Sequence, residues 1–195
     1  MDKSASCRGR RRDDTIDTRV LQVTNRHLAE RGFAGLSIAA IADEACTTRQ
    51  ALYRRWATKE SLVADAIRLA GTREAVAFTN DPRADLEHEL ASWIDSEAPL
   101  GLAIAGAMLE RETPADTREC YRANVLAPRR QRMLEILIHA QALNRIDTNA
   151  DIDGAVGVAI GSAYVAHLSG AASNDWPART AALVWRAVGG SDSTS

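Results

Sequence analysis

The sequence predicts an all-α fold, on three observations. Apolar residues recur at three- and four-residue spacing through most of its 195 residues. Ser, Thr and Asp stand repeatedly where such a stretch begins, as helix caps do. No stretch sustains the two-residue alternation of β-branched residues that marks a strand.

Taken in order, the opening MDKSASCRGRRRDD is polar and reads as a flexible basic arm over residues 1–13. Asp13 or Asp14 then caps a helix that runs to Arg31 and stops at Gly32, with Val20, Val23 and Leu28 as its apolar stripe and His27 as a half-buried core position. Ser37 caps a short second helix carrying Ile38, Ile41, Ala42 and Ala45 in phase, and Cys46-Thr47 form the turn after it. Thr48 caps a third helix to about Trp56. Thr58 caps a fourth, from Lys59 to about Phe78, where Asn80-Asp81-Pro82 breaks it. Longer helices are predicted at about 84–97, 100–112, 115–143, 150–171 and 177–188. Pro128 should kink or split the third of these, because proline removes a backbone donor and crowds the preceding turn.

With 46% hydrophobic and 26% charged residues, the composition is that of an ordinary soluble domain. Three cysteines without CxxC spacing, and no secretory leader, predict a reducing, cytoplasmic location. Charge is unevenly placed: residues 1–60 carry 12 Lys and Arg against 8 Asp and Glu, whereas the remainder carries 12 against 18. A basic front on a slightly acidic chain points to a polyanionic partner for the first third. The uncharged stretch 154–174 is rich in Ala, Gly and Ser and holds His167, so a helix buried between protein partners is predicted rather than a membrane span. An enzyme is the rival class, but GxSxG, GxxxxGK[ST] and GxGxxG do not occur, and His88-Glu89 lacks the second histidine of HExxH. No catalytic residue, cofactor or metal site is predicted.

The stretch TTRQALYRRWATKES, residues 47–61, concentrates the basic charge around aromatic residues. At about 100° per residue, Leu52 and Trp56 share the inward stripe, Gln50 and Arg54 fall opposite it, and Tyr53 flanks them. That outward face offers groups that read base edges or grip phosphates. Two short helices joined by a two-residue turn make a helix-turn-helix, whose second helix enters the major groove.

Residues 16–67 resemble the DNA-binding domain of the TetR family of bacterial transcription regulators, through LSIAAIADEA, TTRQALYRRW and ATKESLVADAI. The resemblance implies that Arg49, Gln50, Tyr53 and Arg54 face bases, while Ser37, Thr48, Tyr53, Arg55 and Lys59 hold phosphates of a double-stranded operator. Cys46 stands where the family usually has glycine, so a left-handed backbone there carries a penalty of about 1–2 kcal/mol. Arg8, Arg10, Arg11 and Arg12 of the arm either remain solvated or follow the phosphates.

The resemblance also implies that residues 14–58 form the DNA-binding domain and 59–189 an effector-binding and dimerisation bundle, with a flexible tail at 190–195. Trp93, Ile104, Met108, Tyr121, Met133, Leu137 and Tyr164 are the candidate walls of a pocket for a small apolar or amphipathic effector, since aromatic and Met side chains make adaptable apolar walls. Gly154, Gly157 and Gly161 let another helix approach closely, and with Leu183 and Trp185 of the last helix they form the candidate homodimer interface. The function expected is a ligand-released repressor of a palindromic operator. Alternatives are a DNA-binding regulator that takes no ligand and, from another class, a helical-bundle enzyme.

Overall fold

In the computed structural model, residues 14–72, 77–94, 100–169 and 173–190 are described, and among them there is no β-strand. The helices are α1 (Asp14–Arg31), α2 (Ile38–Glu44), α3 (Arg49–Arg55), α4 (Lys59–Gly71), α5 (Pro82–Ile94), α6 (Leu100–Leu109), α7 (Ala115–Tyr121), α8 (Ala127–Ala142), α9 (Ile152–Leu168) and α10 (Trp176–Ala187). A π-helical turn, Arg122–Leu126, joins α7 to α8. The basic arm and residues 191–195 lie outside the described residues.

The short N-terminal helices begin where the sequence places caps. The hydroxyls of Ser37, Thr48 and Thr58 accept from the backbone N–H of Ala40, Ala51 and Ser61 at 3.3, 3.1 and 3.1 Å. Thr58 and Ser61 complete a reciprocal capping box at the start of α4. At the end of α2, Cys46 has φ +55°, with its N–H bonded to Asp43 O and that of Thr47 to Ala42 O. This is a Schellman closure, and a residue with a Cβ occupies its left-handed position. Asn144 closes α8 in the same way at φ +54°.

Two cores organise the chain. The first joins α1–α4 to Ile104 and Met108 of α6, Tyr121 of α7 and Val125 of the π-turn. The second joins α5, Leu102 and α8–α10 around Leu86, Leu90, Met133 and Leu137. Leu126 and Tyr164 pack against both. Buried polar pairs fix the first: Asn25 Nδ2 donates to Ala66 O at 2.6 Å across α1 and α4, and Trp56 Nε1 donates to Asp65 Oδ2 at 2.9 Å. His27, expected half-buried, is fully buried and meets Glu44 Oε2 at 2.7 Å, while Arg26 takes the other oxygen of the same carboxylate. Burial, reinforced by Arg31, holds the pKa of His27 below its ordinary value, so the neutral ring donates from Nε2.

Two helix boundaries differ from expectation. The fourth helix ends at Gly71, with Thr72 extended, and Phe78 lies in a loop instead. There its ring stacks on His139, centroids 5.3 Å apart, under the Arg132 guanidinium. The helix expected over 115–143 is interrupted just before Pro128, which has no N–H for the Asn124 carbonyl and whose ring would crowd it. The chain responds by widening one turn: Ala127 N–H bonds to Arg122 O, five residues back. The Asn124 carbonyl then lies against Gly71, where a Cβ would overlap its oxygen.

This contact generates a prediction whose sign is opposite to helix propensity. Alanine in place of glycine inside a helix ordinarily stabilises by about 0.5–1 kcal/mol. Gly71→Ala should instead destabilise by about 1–3 kcal/mol, because backbone must shift to admit the methyl group. Urea denaturation at unchanged m-value measures this, and a stabilised variant would show that α4 does not rest closely on the π-turn.

Candidate nucleic-acid interface and adjoining cavity

The outward face of α3 is open. Arg49, Gln50, Tyr53 and Arg54 are exposed, Tyr53 to 55%, while Leu52 and Trp56 are buried beneath them. Trp56, anchored on Asp65, fixes the end of α3 against α4, so the exposed side chains stand on a braced element. Ser37 and Thr48 sit at the two helix starts flanking this face; each hydroxyl accepts a capping bond and keeps its own proton to donate. Phosphate oxygens are suitable acceptors.

Two of the predicted phosphate ligands are also structural. Arg55 Nε pairs with Asp17 Oδ1 of α1 at 2.8 Å. Lys59 Nζ lies 4.7 Å from the centre of the Phe33 ring and donates to Ala34 O at 3.4 Å. Burial holds its pKa below the ordinary value, against the opposing charge of Glu60. Arg55 thus ties α3 to α1, and Lys59 ties the start of α4 to the loop after α1, while both remain on the basic rim.

Of the predicted pocket residues, Trp93, Tyr121 and Tyr164 converge on one cavity at the junction of the two cores, together with Leu102, Val125, Leu126 and Arg129. The cavity is narrow, with room for about one water-sized molecule. Ile104 and Met108 are buried in the first core, Met133 and Leu137 in the second, and none of the four lines the cavity. The sequence reading missed Arg129, 6% exposed, whose guanidinium lies over the Trp93 ring 5.0 Å from its centre. Its signal was the spacing Tyr121, Val125, Arg129, one side chain every fourth residue, hidden by attention to aromatic and Met residues. Tyr121 and Tyr164 hydroxyls are 3.2 Å apart. Burial first, then Tyr164, push the Tyr121 phenol far above its ordinary pKa, so it remains a neutral donor.

The predicted partner face divides. Gly157 and Gly161 have nothing within 4 Å of where a Cβ would stand, Val158 and Val165 of the same helix are 71% and 65% exposed, and Leu183 of α10 is 60% exposed. Gly154 serves the helix start, since the Asp151 carboxylate that accepts its N–H at 2.9 Å fills the space of a side chain. Trp185 is not on this face: it is 4% exposed, inside the second core and under Gly190. Among the described residues no helix is long and apolar enough to cross a membrane, and no cluster of three or more His, Cys, Asp or Glu could hold a metal.

A braced two-helix unit with an exposed Arg/Gln/Tyr face, carried on a helical bundle, defines a helix-turn-helix DNA-binding regulator. Residues 20–66 match the family model of the bacterial regulatory proteins, tetR family. The match spans the helix-turn-helix and its flanking helices, so this part of the chain is similar to the DNA-binding domain of that family. Solved structures agree over most of its length. The hemolysin II transcriptional regulator HlyIIR has a TM-score of 0.65 at 18% identity, covering 87% of this chain and 97% of its own. FadR from Bacillus subtilis, crystallised with stearoyl-CoA, gives 0.66 at 13%, covering 90% and 99%. The TetR family transcription regulator SCO0332 gives 0.55 at 27%, covering 89% and 96%. No curated protein matches the sequence.

Substitutions in the turn, on α3 and at the start of α4 test the local geometry. Cys46→Gly should raise stability by about 1 kcal/mol by removing the left-handed strain, read as a higher melting temperature; a lower one would mean that the turn relaxes around cysteine without cost. Arg54→Ala or Gln50→Ala should cost about 1–3 kcal/mol of operator affinity and relax base preference, whereas Lys59→Ala should weaken all sequences alike and reduce the salt slope by about one unit. Unchanged preference in both α3 variants, with altered preference for Lys59→Ala, would reverse the assigned orientation of α3.

Proposed function

We propose that the protein is a homodimeric repressor that leaves a palindromic operator when a small molecule enters the bundle. The observation that carries this reading is the position of the cavity. It lies between the core that contains the DNA-binding helices and the core that supports the exposed Gly157/Val158/Leu183 face, and its walls include the π-turn on which α4 rests.

Each part of the proposed cycle has a physical basis. The base-reading side chains are Arg49, Gln50, Tyr53 and Arg54, with Ser37, Thr48, Arg55 and Lys59 on phosphates. Exposed Val158, Val165 and Leu183, around glycines that permit close backbone approach, form a face suited to a second copy across a two-fold axis. A ligand that parts Tyr121, Val125 and Leu126 displaces the π-turn, and α4 transmits the displacement to Thr58 and Lys59. FadR, crystallised in complex with stearoyl-CoA, supports a small-molecule ligand for a protein of this fold. The narrowness of the cavity favours a second reading, a DNA-binding regulator that takes no ligand.

The first test is assembly. Footprinting should reveal two half-sites about 34–36 Å apart, or a multiple of that, and Val158→Asp should convert dimer to monomer and remove high-affinity binding. A monomeric wild-type chain that protects a single half-site would refute the dimer. For the response, coupling of about 1–3 kcal/mol predicts operator binding roughly 5–150-fold weaker with saturating effector, and effector binding weakened by the same factor on operator. Equal effector affinity with and without operator would leave DNA binding and remove ligand release.

A further inference from the structure

We propose that Glu44, the last residue of α2, is a positioning residue for base recognition: its carboxylate, held from α1 by Arg26 and His27 together, sets where the entry end of α3 stands. This rests on the DNA-binding part of the reading above and needs no effector. Glu44 acts through Arg49 and Gln50 without itself touching a base.

The two ends of α3 are held differently. Its middle and far end are anchored by buried Leu52, by Trp56 on Asp65 and by Arg55 on Asp17. Its first residues have no such anchor: Thr48, Arg49 and Gln50 are exposed, and Thr47 and Ala51 are only partly covered. Yet the N-terminal end of a recognition helix is the part that meets base edges. Its position is inherited from the turn before it, where the N–H groups of Cys46 and Thr47 bond back to Asp43 O and Ala42 O at 3.1 and 2.9 Å. A turn closed in this way carries the start of α3 wherever the end of α2 is fixed.

Two features fix that end. Ala45 is buried, and Glu44 beside it reaches α1, where Arg26 donates to Oε1 and His27 Nε2 donates to Oε2, the latter at 2.7 Å. One carboxylate thus accepts from two consecutive residues of another helix, which sets its orientation as well as its distance. His27 shows that direction, not burial, is what the pair supplies. The ring is fully buried, yet its Nδ1 has no hydrogen-bond partner. Burying that nitrogen unpaired costs stability, and a leucine would fill similar space without the cost. What the imidazole adds is one directed bond to Glu44.

Charge alone gives the opposite expectation. A carboxylate near a DNA-binding face repels phosphates, so the loss of a mere surface charge should strengthen binding to every duplex alike. Loss of a positioning residue should instead reduce discrimination between duplexes. Glutamine is the informative replacement, because its amide offers one acceptor oxygen to two donors and turns an NH2 group toward the second.

The test uses the full chain and two duplexes at one fixed salt concentration: one selected by the wild-type protein from a randomised library, and a shuffled duplex of the same composition. Glu44→Gln should cut the ratio of the two affinities at least about fivefold, with an unchanged melting profile and no loss of affinity for the shuffled duplex. His27→Gln, whose amide nitrogen stands as many bonds from the backbone as Nε2, should keep most of the ratio. His27→Leu should lower it at least about threefold while melting no lower. Equal ratios for the wild type and Glu44→Gln, or no difference between His27→Gln and His27→Leu, would remove the positioning role and leave DNA binding in place. The His27 variants decide the matter if Glu44→Gln does not fold. A wild-type chain that selects no sequence from the library defeats the DNA-binding reading, and the assignment of Glu44 with it.

Discussion

The close seat of Gly71 on the Asn124 carbonyl is the constraint on which the arrangement of the chain depends. It exists because Pro128 cannot accept the ordinary helical geometry one turn earlier, so the helix widens and redirects a carbonyl toward α4. Only glycine at the end of α4 leaves room for it. The helix that starts at the DNA-binding face therefore ends in contact with a backbone irregularity that also forms a wall of the cavity. Irregular turns have fewer ideal hydrogen bonds than the helices around them, and motion concentrates where local stability is lowest.

The other end of α4 is held just as specifically. Trp56 on Asp65 joins the end of α3 to α4, Arg55 on Asp17 joins α3 to α1, and Lys59 over Phe33 joins α4 to the loop after α1. Arg55 and Lys59 are also basic rim residues, so the proposed phosphate contacts would draw on side chains that serve internal packing. The ordinary charge of the whole chain conceals this, because the basic residues are gathered in the first third and balanced by the acidic remainder.

What the sequence revealed and what it hid separate along physical lines. Caps at Ser37, Thr48 and Thr58 and the stop at Gly32 were legible because each depends on one residue and its nearest backbone neighbours. The inward Leu52 and Trp56 and the outward Gln50 and Arg54 were legible from helical phase. Cys46 was legible as a strained turn for the same local reason. The early end of α4 and the burial of Arg129 were not, since each arises from packing between segments far apart in the sequence, Gly71 on Asn124 and Arg129 on Trp93. Pro128 announced an interruption but not its form. For the cavity, choosing residues by type found the three aromatics at the junction and misplaced four aliphatic and Met residues that fill the two cores.

Coupling of the DNA-binding face to the π-turn through α4 is testable without knowing the effector. Amide hydrogen exchange of the full chain, with and without saturating operator DNA, follows both ends of the helix at once. If the coupling is real, operator must change protection at residues 122–126 as well as at 48–60, because linkage acts in both directions. Changes confined to residues 37–60, with the π-turn exchanging identically in both states, would contradict it.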